Sequence, residues 1–484
     1  MRFNFRIIVS IIGLLLIING LSMLLCLPFS VYFRERDWKA LLIAGILTYI
    51  VGFISWYRYK DTNNKELKKR DGYLIVTLGW VTMSAFGALP YVFSGAIPSF
   101  TDAFFETVSG YSTTGASILT DIESVHKGIL FWRSLTQWIG GMGIIVLTVA
   151  ILPFLGIGGM QLFVAEAPGI TPDKLKPRIQ ATAKRLWLVY VGITAIECVL
   201  LMFGGMTFYD ALNHSFTTMA TGGFSTKNTS AADFSPYIQY VITIFMFLAG
   251  TSFTLNYFAF KRKFKDIWRN EEFRYYLGGT IVSTIIVTIA VFVGTENSLE
   301  KSFRDSIFQI VSIVTTTGFV SADYTQWTPF VTLLLFIFMF IGGSAGSTAG
   351  GVKIVRHIIL LKNSFLELKR QLHPSAVIPV RLNDKAISKN ITFHVLAFIM
   401  IYISIFALGS ILVSLSGLDF MTSIGAVATC LGNVGPGLGD VGPVDNFAGL
   451  PGVSKWILSF LMLLGRLELF TVLMLFTPYF WRKV

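Results

Sequence analysis

The sequence predicts an all-α polytopic membrane protein with two N-terminal helices followed by four pseudo-repeats. Its 484 residues are 54% hydrophobic and only 14% charged, whereas soluble domains are about one quarter charged. Apolar runs of about 20 residues, long enough to cross a bilayer as helices, recur from end to end. The third observation is a pattern of helix, short segment, small-residue loop and helix that recurs along the chain.

Two helices come first, at about residues 7–33 and 38–57, joined by a short turn at 34–37. Arg2 and Arg6 precede the first helix, so it could imitate a secretory signal peptide. It is too long for the apolar region of such a peptide and has no small-residue cleavage site. We therefore predict a retained helix and assign residues 1–70 to two additional transmembrane helices.

The net charge of +12 does not indicate a nucleic-acid partner, because the basic residues lie between the apolar runs. Most of the 39 Lys and Arg residues fall near the two termini or in the segments 58–70, 174–185, 261–274 and 353–389. If these regions face the cytoplasm, the positive-inside rule accounts for the charge. We expect contact with the lipid bilayer, cytoplasmic N- and C-termini and no nucleic acid.

The cysteines and histidines do not form a recognisable site. Cys26, Cys198 and Cys430 are far apart in apolar surroundings, which does not suggest a disulfide or metal framework. The five histidines are scattered, without metal-ligand spacing to a third donor. We therefore expect no cofactor.

The four pseudo-repeats are predicted at residues 71–165, 166–265, 266–375 and 376–484. In three of them an aspartate near the start of the short segment precedes a loop glycine at one constant spacing: Asp102 and Gly115, Asp210 and Gly223, Asp305 and Gly318. The fourth differs, because the same spacing counted from Asp419 falls on Gly432, and Gly435 lies further along the chain. Internal repetition of this kind fixes an architecture more firmly than a single motif does.

The short segments are about a dozen residues long, too brief to span about 30 Å of hydrocarbon at about 1.5 Å per residue. Each can enter the membrane as a half-helix with its negative C-terminal end directed at the loop. Four such ends on one axis favour a cation, and the Thr- and Gly-rich loops offer backbone carbonyls that can replace a hydration shell. The alternative for any single loop is an ordinary turn.

A glycine-rich stretch, IGGSAGSTAGGVKIVR at 341–356, follows an almost wholly apolar run at 330–340. A membrane helix that breaks at mid-depth must have its freed backbone groups satisfied by protein or water, so such a break is expected beside a cavity. A flexible turn at a helix end is the alternative. A phosphate-binding loop is disfavoured because no Gly-Lys-Ser/Thr closes the motif.

Together these motifs resemble the TrkH branch of the Trk/Ktr/HKT superfamily of potassium uptake proteins. The resemblance covers essentially the whole chain: the two extra helices, the loop glycines, the break at 342–351, the HPSAVIPVRL sequence at 373–382 and the NVGPG sequence at 433–437. The last motif favours Gly435 over Gly432, although the spacing alone leaves this register open. The resemblance implies potassium uptake through a gated pore, by a channel or by symport.

The resemblance also implies the site residues. Backbone carbonyls of a selectivity filter would come from Ser112, Thr113, Thr114, Gly115, Ala220, Thr221, Gly222, Gly223, Thr315, Thr316, Thr317, Gly318, Gly432, Asn433, Val434 and Gly435. Sodium-selecting relatives carry serine at the first filter glycine, so Gly115 favours potassium. Potassium would then be bound only as the transported ion.

A gate is implied beneath this filter. Its residues would be Gly342, Gly343, Ser344, Gly346, Ser347, Thr348, Gly350, Gly351 and Arg466. An arginine at mid-bilayer costs roughly 2.5–3.5 kcal/mol even on lenient scales, so Arg466 should face the pore or pair with a carboxylate from another helix. A snorkelling structural arginine is the alternative, and Glu197, alone in another apolar run, is interpreted as structural.

The family implies a homodimer in the bacterial cytoplasmic membrane, seated on a ring of nucleotide-binding regulatory subunits of the TrkA type. The sequence supports two other classes of function less well. A secondary transporter of an organic solute, built from broken helices, would need polar or charged side chains at mid-membrane. An intramembrane enzyme would need a catalytic constellation, and the sequence offers none. A cation transporter that does not discriminate sodium from potassium is a further alternative.

Overall fold

The computed structural model describes residues 3–60, 69–141, 143, 179–376 and 378–482. These residues are predominantly helical, and their only strands are β1 (Arg381–Leu382) and β2 (Lys385–Ala386), an antiparallel hairpin. Several sequence-based predictions fall partly outside them: the end of the first repeat, the boundary at 165/166, parts of the basic segments 58–70 and 174–185, and position 377.

The N-terminal unit consists of α1 (Phe5–Leu24), α2 (Leu27–Tyr32) and α3 (Trp38–Tyr59). The side chain of Asn4 caps α1 by accepting a hydrogen bond from the N–H of Ile7. The predicted single helix at 7–33 is interrupted at residues 25–26, because Pro28 in the first turn of α2 cannot donate a backbone hydrogen bond. By length and hydropathy, Phe5–Tyr32 remains one candidate membrane span.

Helices α1 and α3 pack backbone against backbone at paired glycines. A Cβ added at Gly13 would lie 2.7 Å from the carbonyl oxygen of Gly52, and one added at Gly20 would lie 2.7 Å from that of Gly45. Small residues at a helix crossing allow this approach, which is how membrane helices associate when apolar burial gives no advantage over lipid.

The order of helix, short helix, glycine-containing loop and helix then recurs four times. The first copy has α4 (Lys69–Gly87), α5 (Leu89–Ser94), α6 (Phe100–Tyr111) and α7 (Lys127–Gly141). The second has α8 (Ile179–Phe203), α9 (Phe208–Met219), α10 (Pro236–Gly250) and α11 (Phe253–Phe260), followed by α12 (Phe264–Arg269).

The third and fourth copies repeat this order. The third has α13 (Glu271–Gly294), α14 (Leu299–Val314), α15 (Pro329–Phe338) and, after the glycine-rich stretch, α16 (Ile354–Leu372). After the β-hairpin, the fourth has α17 (Lys389–Ser414), α18 (Phe420–Gly432), α19 (Gly452–Arg466) and α20 (Phe470–Leu473), and α21 (Pro478–Trp481) follows.

The four short helices α6, α9, α14 and α18 begin at side-chain caps. Ser99, Thr207 and Ser298 each accept a hydrogen bond from the N–H three residues ahead, and Asp419 itself caps α18. In the third repeat the acid in the first turn is Glu300 rather than the predicted Asp305. The Ser298 cap starts α14 earlier, so this helix has 16 residues and Asp305 lies beyond its first turn.

The helix that follows the loop is broken in more repeats than the sequence pattern indicates. Helices α10 and α11 meet at 111°, and α19 meets the Phe470–Phe476 segment at 112°. The break in the third repeat lies between α15 and α16, as the glycine-rich stretch predicts. The unpredicted breaks lie at Thr251, extended after Gly250, and at Glu468 and Leu469, whose φ angles are positive.

Burial separates helices that face lipid from those that face protein. Within the apolar window of α17 only 22% of the residues are buried, and in α13 only 28%, against 61% for the span that contains α1. Helices α13 and α17 therefore expose apolar side chains, as lipid contact requires. Among the described residues, six helices are long and apolar enough to cross a membrane, or eight spans if each bent pair counts as one.

We predict that Gly52→Leu destabilises the protein, because its side chain must displace the backbone of α1 near Gly13. Overpacking typically costs about 1–3 kcal/mol, so the midpoint of thermal unfolding in detergent should fall. Gly278→Leu is the matched control, since a Cβ added at this position of α13 meets nothing within 4 Å. Equal midpoints for both variants would contradict the close crossing.

Candidate functional site

The four glycine loops close into a ring. A Cβ added at Gly115, Gly223, Gly318 or Gly435 would lie no more than 2.7 Å from one carbonyl oxygen of another loop. The oxygens belong, in the same order, to Gly222, Thr317, Val434 and Thr114. Each loop thus meets the next, and the fourth returns to the first, so the four loops surround one axis.

All four loops share one backbone conformation. The glycines have φ angles of 85°, 73°, 79° and 106°, and the residues two positions earlier have φ between 53° and 55°: Thr113, Thr221, Thr316 and Asn433. Left-handed non-glycine residues cost on the order of 1–3 kcal/mol each. Four such residues at equivalent positions therefore indicate a conformation that the fold imposes.

Hydrogen bonds from the short helices hold this conformation. The residue immediately before each ring glycine donates its backbone N–H to the carbonyl of the residue five positions before it. The pairs are Thr114 to Ser109, Gly222 to Thr217, Thr317 to Ser312 and Val434 to Thr429, at 2.8–2.9 Å. This is a Schellman-type helix end, with threonine or asparagine where glycine is usual. It also fixes the register of the fourth loop, since Gly435 lies in the ring whereas Gly432 is the last residue of α18.

The predicted filter residues carry no charge, and they are buried except for Gly115, Gly223 and Gly318, which are half-buried. Hydroxyl groups pair within two of the loops, Ser112 with Thr114 at 2.7 Å and Thr315 with Thr317 at 2.8 Å. The Asn433 side chain donates to the Thr114 hydroxyl at 3.0 Å, which links the fourth loop to the first. Ala220, the C-cap of α9, is fully buried behind the second loop.

In three repeats, a polar side chain at one equivalent position of the short helix contacts the segment that follows the glycine loop. Glu106 accepts from the N–H of Ile118 at 2.9 Å, His214 lies 3.0 Å from the Ser225 hydroxyl, and Gln309 lies 3.4 Å from that of Ser321. All three precede their ring glycine at the same spacing, a signal that was available in the sequence.

The fourth repeat has Ala426 at this position, and a different residue contacts the segment that follows its loop. The Thr422 hydroxyl, one helical turn earlier on α18, accepts from the N–H of Asp440 at 3.0 Å. Relative to the ring glycine, Thr422 occupies the position that Asp102 and Asp210 hold in the first two repeats. In the fourth repeat the contact therefore comes from a position one turn earlier, but it still joins the short helix to the segment beyond the loop.

Other contacts to the loops come from the following helices. Gln137 of α7 donates to the carbonyl of Gly222 at 2.6 Å and accepts from the N–H of Phe224 at 3.1 Å. Lys455 of α19 donates to the Asp102 carboxylate at 2.7 Å and thereby joins the fourth repeat to the first. Sequence reasoning missed both residues because their partners are distant along the chain.

The segments that leave the first two loops are joined at the surface. Asn228 donates to the Asp121 carboxylate at 2.9 Å and accepts from the N–H of Ile122 at 2.7 Å. The Asn228 hydrogen bond holds the pKa of Asp121 below its ordinary value. Asp121 therefore keeps its negative charge at any pH at which an ordinary aspartate does.

The glycine-rich stretch lies directly against the ring loops. Gly350 donates its N–H to the Thr316 hydroxyl at 2.6 Å, and the Thr348 hydroxyl donates to the carbonyl of Met219 at 3.0 Å. A Cβ at Gly350 would lie 2.8 Å from the carbonyl of Gly432. The stretch therefore contacts the second, third and fourth repeats next to their glycine loops.

The remaining predicted gate residues include two that join the stretch to the bend between α10 and α11. Ser344 donates its N–H to the carbonyl of Gly250 at 2.9 Å, and the carbonyl of Gly346 accepts from the N–H of Phe253 at 3.0 Å. Gly343 also lies beside Gly250 at this bend. The other contacts are within the stretch: the Gly342 N–H donates to the Val352 carbonyl, the Ser347 hydroxyl donates to the Ser344 carbonyl, and Gly351 lies beside Gly342.

Arg466 lies at the end of α19, against this stretch. Its guanidinium donates to the carbonyl of Thr348 at 2.7 Å and to those of Gly140 and Gly141 at 2.5 and 3.0 Å. These three partners are backbone carbonyls of other elements. Glu468 instead pairs with Arg356 of α16.

Glu272, in the first turn of α13, holds the glycine-rich stretch at two points, Ala345 and Val355. One oxygen of its carboxylate accepts from the N–H of Ala345 at 2.7 Å and from that of Val355 at 3.3 Å. The adjacent Glu271 accepts from the N–H of Asn383 in the β-hairpin at 3.1 Å and pairs with Lys362. Neither role could be read from the sequence.

Glu197, which the sequence analysis interprets as structural, lies on α8. Its side chain is fully buried, and the Thr218 side chain of α9 lies beside it. No described contact joins it to the glycine-rich stretch, so its structural interpretation stays a prediction.

We predict that Glu272→Ala speeds amide hydrogen exchange in residues 342–355, because the charge-assisted hydrogen bonds to Ala345 and Val355 are lost. A contribution of about 1.5–3 kcal/mol corresponds to at least tenfold faster exchange. Glu271→Ala is the control and should speed exchange at residues 381–386 instead. Unchanged exchange at 342–355 in Glu272→Ala would show that this carboxylate does not hold the segment.

Comparisons with known proteins agree with this architecture. The chain matches the TrkH family, described as cation transport proteins, over residues 38–483. The Trk system potassium uptake protein TrkH of Salmonella typhimurium is 42% identical, over 99% of this chain and 100% of the relative. The Trk system potassium uptake protein TrkG of Escherichia coli is 35% identical, over 99% of both chains.

A solved structure of the same family has the same fold. The crystal structure of the potassium transporter TrkH from Vibrio parahaemolyticus has a TM-score of 0.89 and 37% identity, covering 99% of this chain and 100% of that one. The predicted all-α membrane fold is thereby confirmed.

Proposed function

Because the chain belongs to the TrkH family of cation transport proteins, we propose that it takes up potassium across the bacterial cytoplasmic membrane through a gated, selective pore. The family that the sequence motifs predicted is confirmed by these matches. The observation that carries the proposal is the closed ring of four loops with one shared left-handed conformation. An enzyme is not proposed.

The ring supplies what selection of a dehydrated potassium ion requires. Neutral backbone carbonyls from four loops can replace the hydration shell of an alkali cation, and four short helices end at the ring with their negative dipole ends. The proposed ligands are the backbone carbonyls of Ser112, Thr113, Thr114, Gly115, Thr221, Gly222, Gly223, Thr316, Thr317, Gly318, Asn433, Val434 and Gly435.

The glycine-rich stretch is proposed as the gate. Its contacts to Thr316 and Met219 support a position beside the ring, and those to Glu272 and Arg466 hold it there. Opening would require these hydrogen bonds to be exchanged for others, since buried backbone groups need partners. The guanidinium of Arg466 adds a positive charge next to the stretch, which opposes cation passage in a low-dielectric site.

The assembly is also a proposal. The relatives are named as parts of a Trk system, which fits a homodimer seated on cytoplasmic nucleotide-binding subunits of the TrkA type. The β-hairpin at residues 381–386 is the surface through which such a ring could reach the gate, because Glu271 binds the hairpin and its neighbour Glu272 binds the stretch.

We predict that Gly115→Ser reduces discrimination between potassium and sodium. The serine would have to adopt a φ of 85° and place its Cβ against the Gly222 carbonyl, so the two loops must separate. Strain of about 1–3 kcal/mol corresponds to a roughly tenfold fall in the flux ratio. The measurement is potassium, rubidium, sodium and lithium flux into liposomes that contain the purified chain.

Gly449→Ser is the control, because a Cβ at Gly449 meets nothing within 4 Å. Equal passage of all four ions through the unmodified protein, unchanged by Gly115→Ser, would contradict the filter and favour a non-selective cation pathway.

We predict that Arg466→Gln raises potassium flux into liposomes several-fold, because it removes a positive charge and weakens the hold on Thr348. Arg269→Gln, at an exposed position of α12, is the control and should leave the flux unchanged. Reduced flux with normal folding would argue that Arg466 supports conduction rather than opposing it.

A further inference from the structure

A buried charge pair lies between the first two filter loops, and nothing in the proposed conduction path uses it. Nε of Arg133 on α7 lies 2.6 Å from a carboxylate oxygen of Glu106 on α6. The two residues are 2% and 0% exposed. Pairs this deep contribute little net stability, because the desolvation penalty offsets the Coulombic attraction. Their hydrogen bonds are nevertheless directional and fix the distance between the elements that they join.

The Glu106 side of the pair belongs to the first loop. One carboxylate oxygen accepts from the Ser117 hydroxyl at 3.0 Å, and the other accepts from the N–H of Ile118 at 2.9 Å. Ser117 and Ile118 lie two and three positions after Gly115. Glu106 therefore fixes the chain just after the ring glycine.

The Arg133 side belongs to the second loop. Its guanidinium donates to the carbonyl of Ser225 at 3.0 Å and lies over the ring of Phe224, 3.5 Å from the centroid. These two residues immediately follow Gly223. The guanidinium therefore contacts the second loop while its Nε binds the residue that holds the first.

The arrangement is specific to this side of the ring. The positions equivalent to Glu106 in the other repeats hold His214, Gln309 and Ala426, none of which is acidic. The Cβ position of Gly115 faces the carbonyl of Gly222 across this same junction. The spacing of the first and second loops thus depends on the Glu106–Arg133 linkage. The other three pairs of neighbouring loops are joined by different residues.

We propose that Glu106 and Arg133 form a positioning pair that sets the spacing of the first and second filter loops and, through it, the size of cation that the ring accepts. This inference rests on the proposed filter. The pair is electrically neutral as a whole, so it acts through geometry rather than by adding charge near the ion. Arginine is needed because its planar fork binds Glu106 and Ser225 together, whereas lysine is a single point donor.

The test is Arg133→Lys in the purified full-length chain, with potassium and sodium flux measured separately in liposomes. Lysine keeps the charge opposite Glu106 but cannot also reach Ser225 and cover Phe224. We expect the potassium-to-sodium flux ratio to fall roughly tenfold, with potassium flux largely retained. Arg304→Lys is the matched control: it changes an arginine–glutamate pair on α14 whose partner Glu300 is 56% exposed, and the ratio should not move.

Phe224→Leu provides a second, independent variant that removes only the ring beneath the guanidinium. It should lower the flux ratio in the same direction by a smaller factor, and it decides the question if Arg133→Lys does not fold. An unchanged potassium-to-sodium flux ratio in a folded variant would overturn the positioning role, provided that the unmodified protein discriminates between the two ions and Gly115→Ser lowers that discrimination. If the unmodified protein passes both ions equally, the filter itself is wrong.

Discussion

The close approach of each ring glycine to the carbonyl of another loop is the constraint on which the rest of the structure depends. A side chain at Gly115, Gly223, Gly318 or Gly435 would collide with that carbonyl, and the φ angles there are left-handed. The four short helices must therefore end beside one another and direct their last turns to one axis. The caps at Ser99, Thr207, Ser298 and Asp419 set where those helices begin.

The ring and the glycine-rich stretch form one hydrogen-bonded unit. The Thr316 hydroxyl, on a left-handed residue of the third loop, accepts the N–H of Gly350, and Thr348 binds the end of α9. The breaks in the second, third and fourth repeats meet at this stretch through Gly250, Gly346 and Arg466. Movement of the stretch therefore requires adjustment at the bends, and in the proposed gating mechanism it would also involve helix α16 and the first turn of α13.

The sequence predicted the repeats because the constant spacing from aspartate to glycine reflects local geometry, one short helix and its Schellman-type end. That geometry also explains the two exceptions. Asp419 is a cap residue, so Thr422 takes the equivalent position relative to Gly435, and Asp305 lies beyond the first turn of a longer helix. The aspartate marks the helix start only loosely, whereas the left-handed residue and the glycine mark its end in all four copies.

Other parts of the site could not be predicted, because they depend on contacts between elements far apart along the chain. Glu272, Gln137 and Arg133 act on backbone groups of Ala345, Gly222 and Ser225, each in a different element. No local pattern distinguishes such a residue from an ordinary buried polar side chain. The bends at Thr251 and Glu468 lack a proline or a glycine run, and they follow from packing rather than from propensity.

The central claim is that the four loops together form one cation site. The most direct measurement is anomalous scattering from crystals of the protein grown in rubidium, which replaces potassium and can be located unambiguously. The account predicts a rubidium peak on the axis of the ring, surrounded by backbone oxygens of all four loops. Rubidium bound only at carboxylates elsewhere, with the ring empty at saturating concentration, would contradict it.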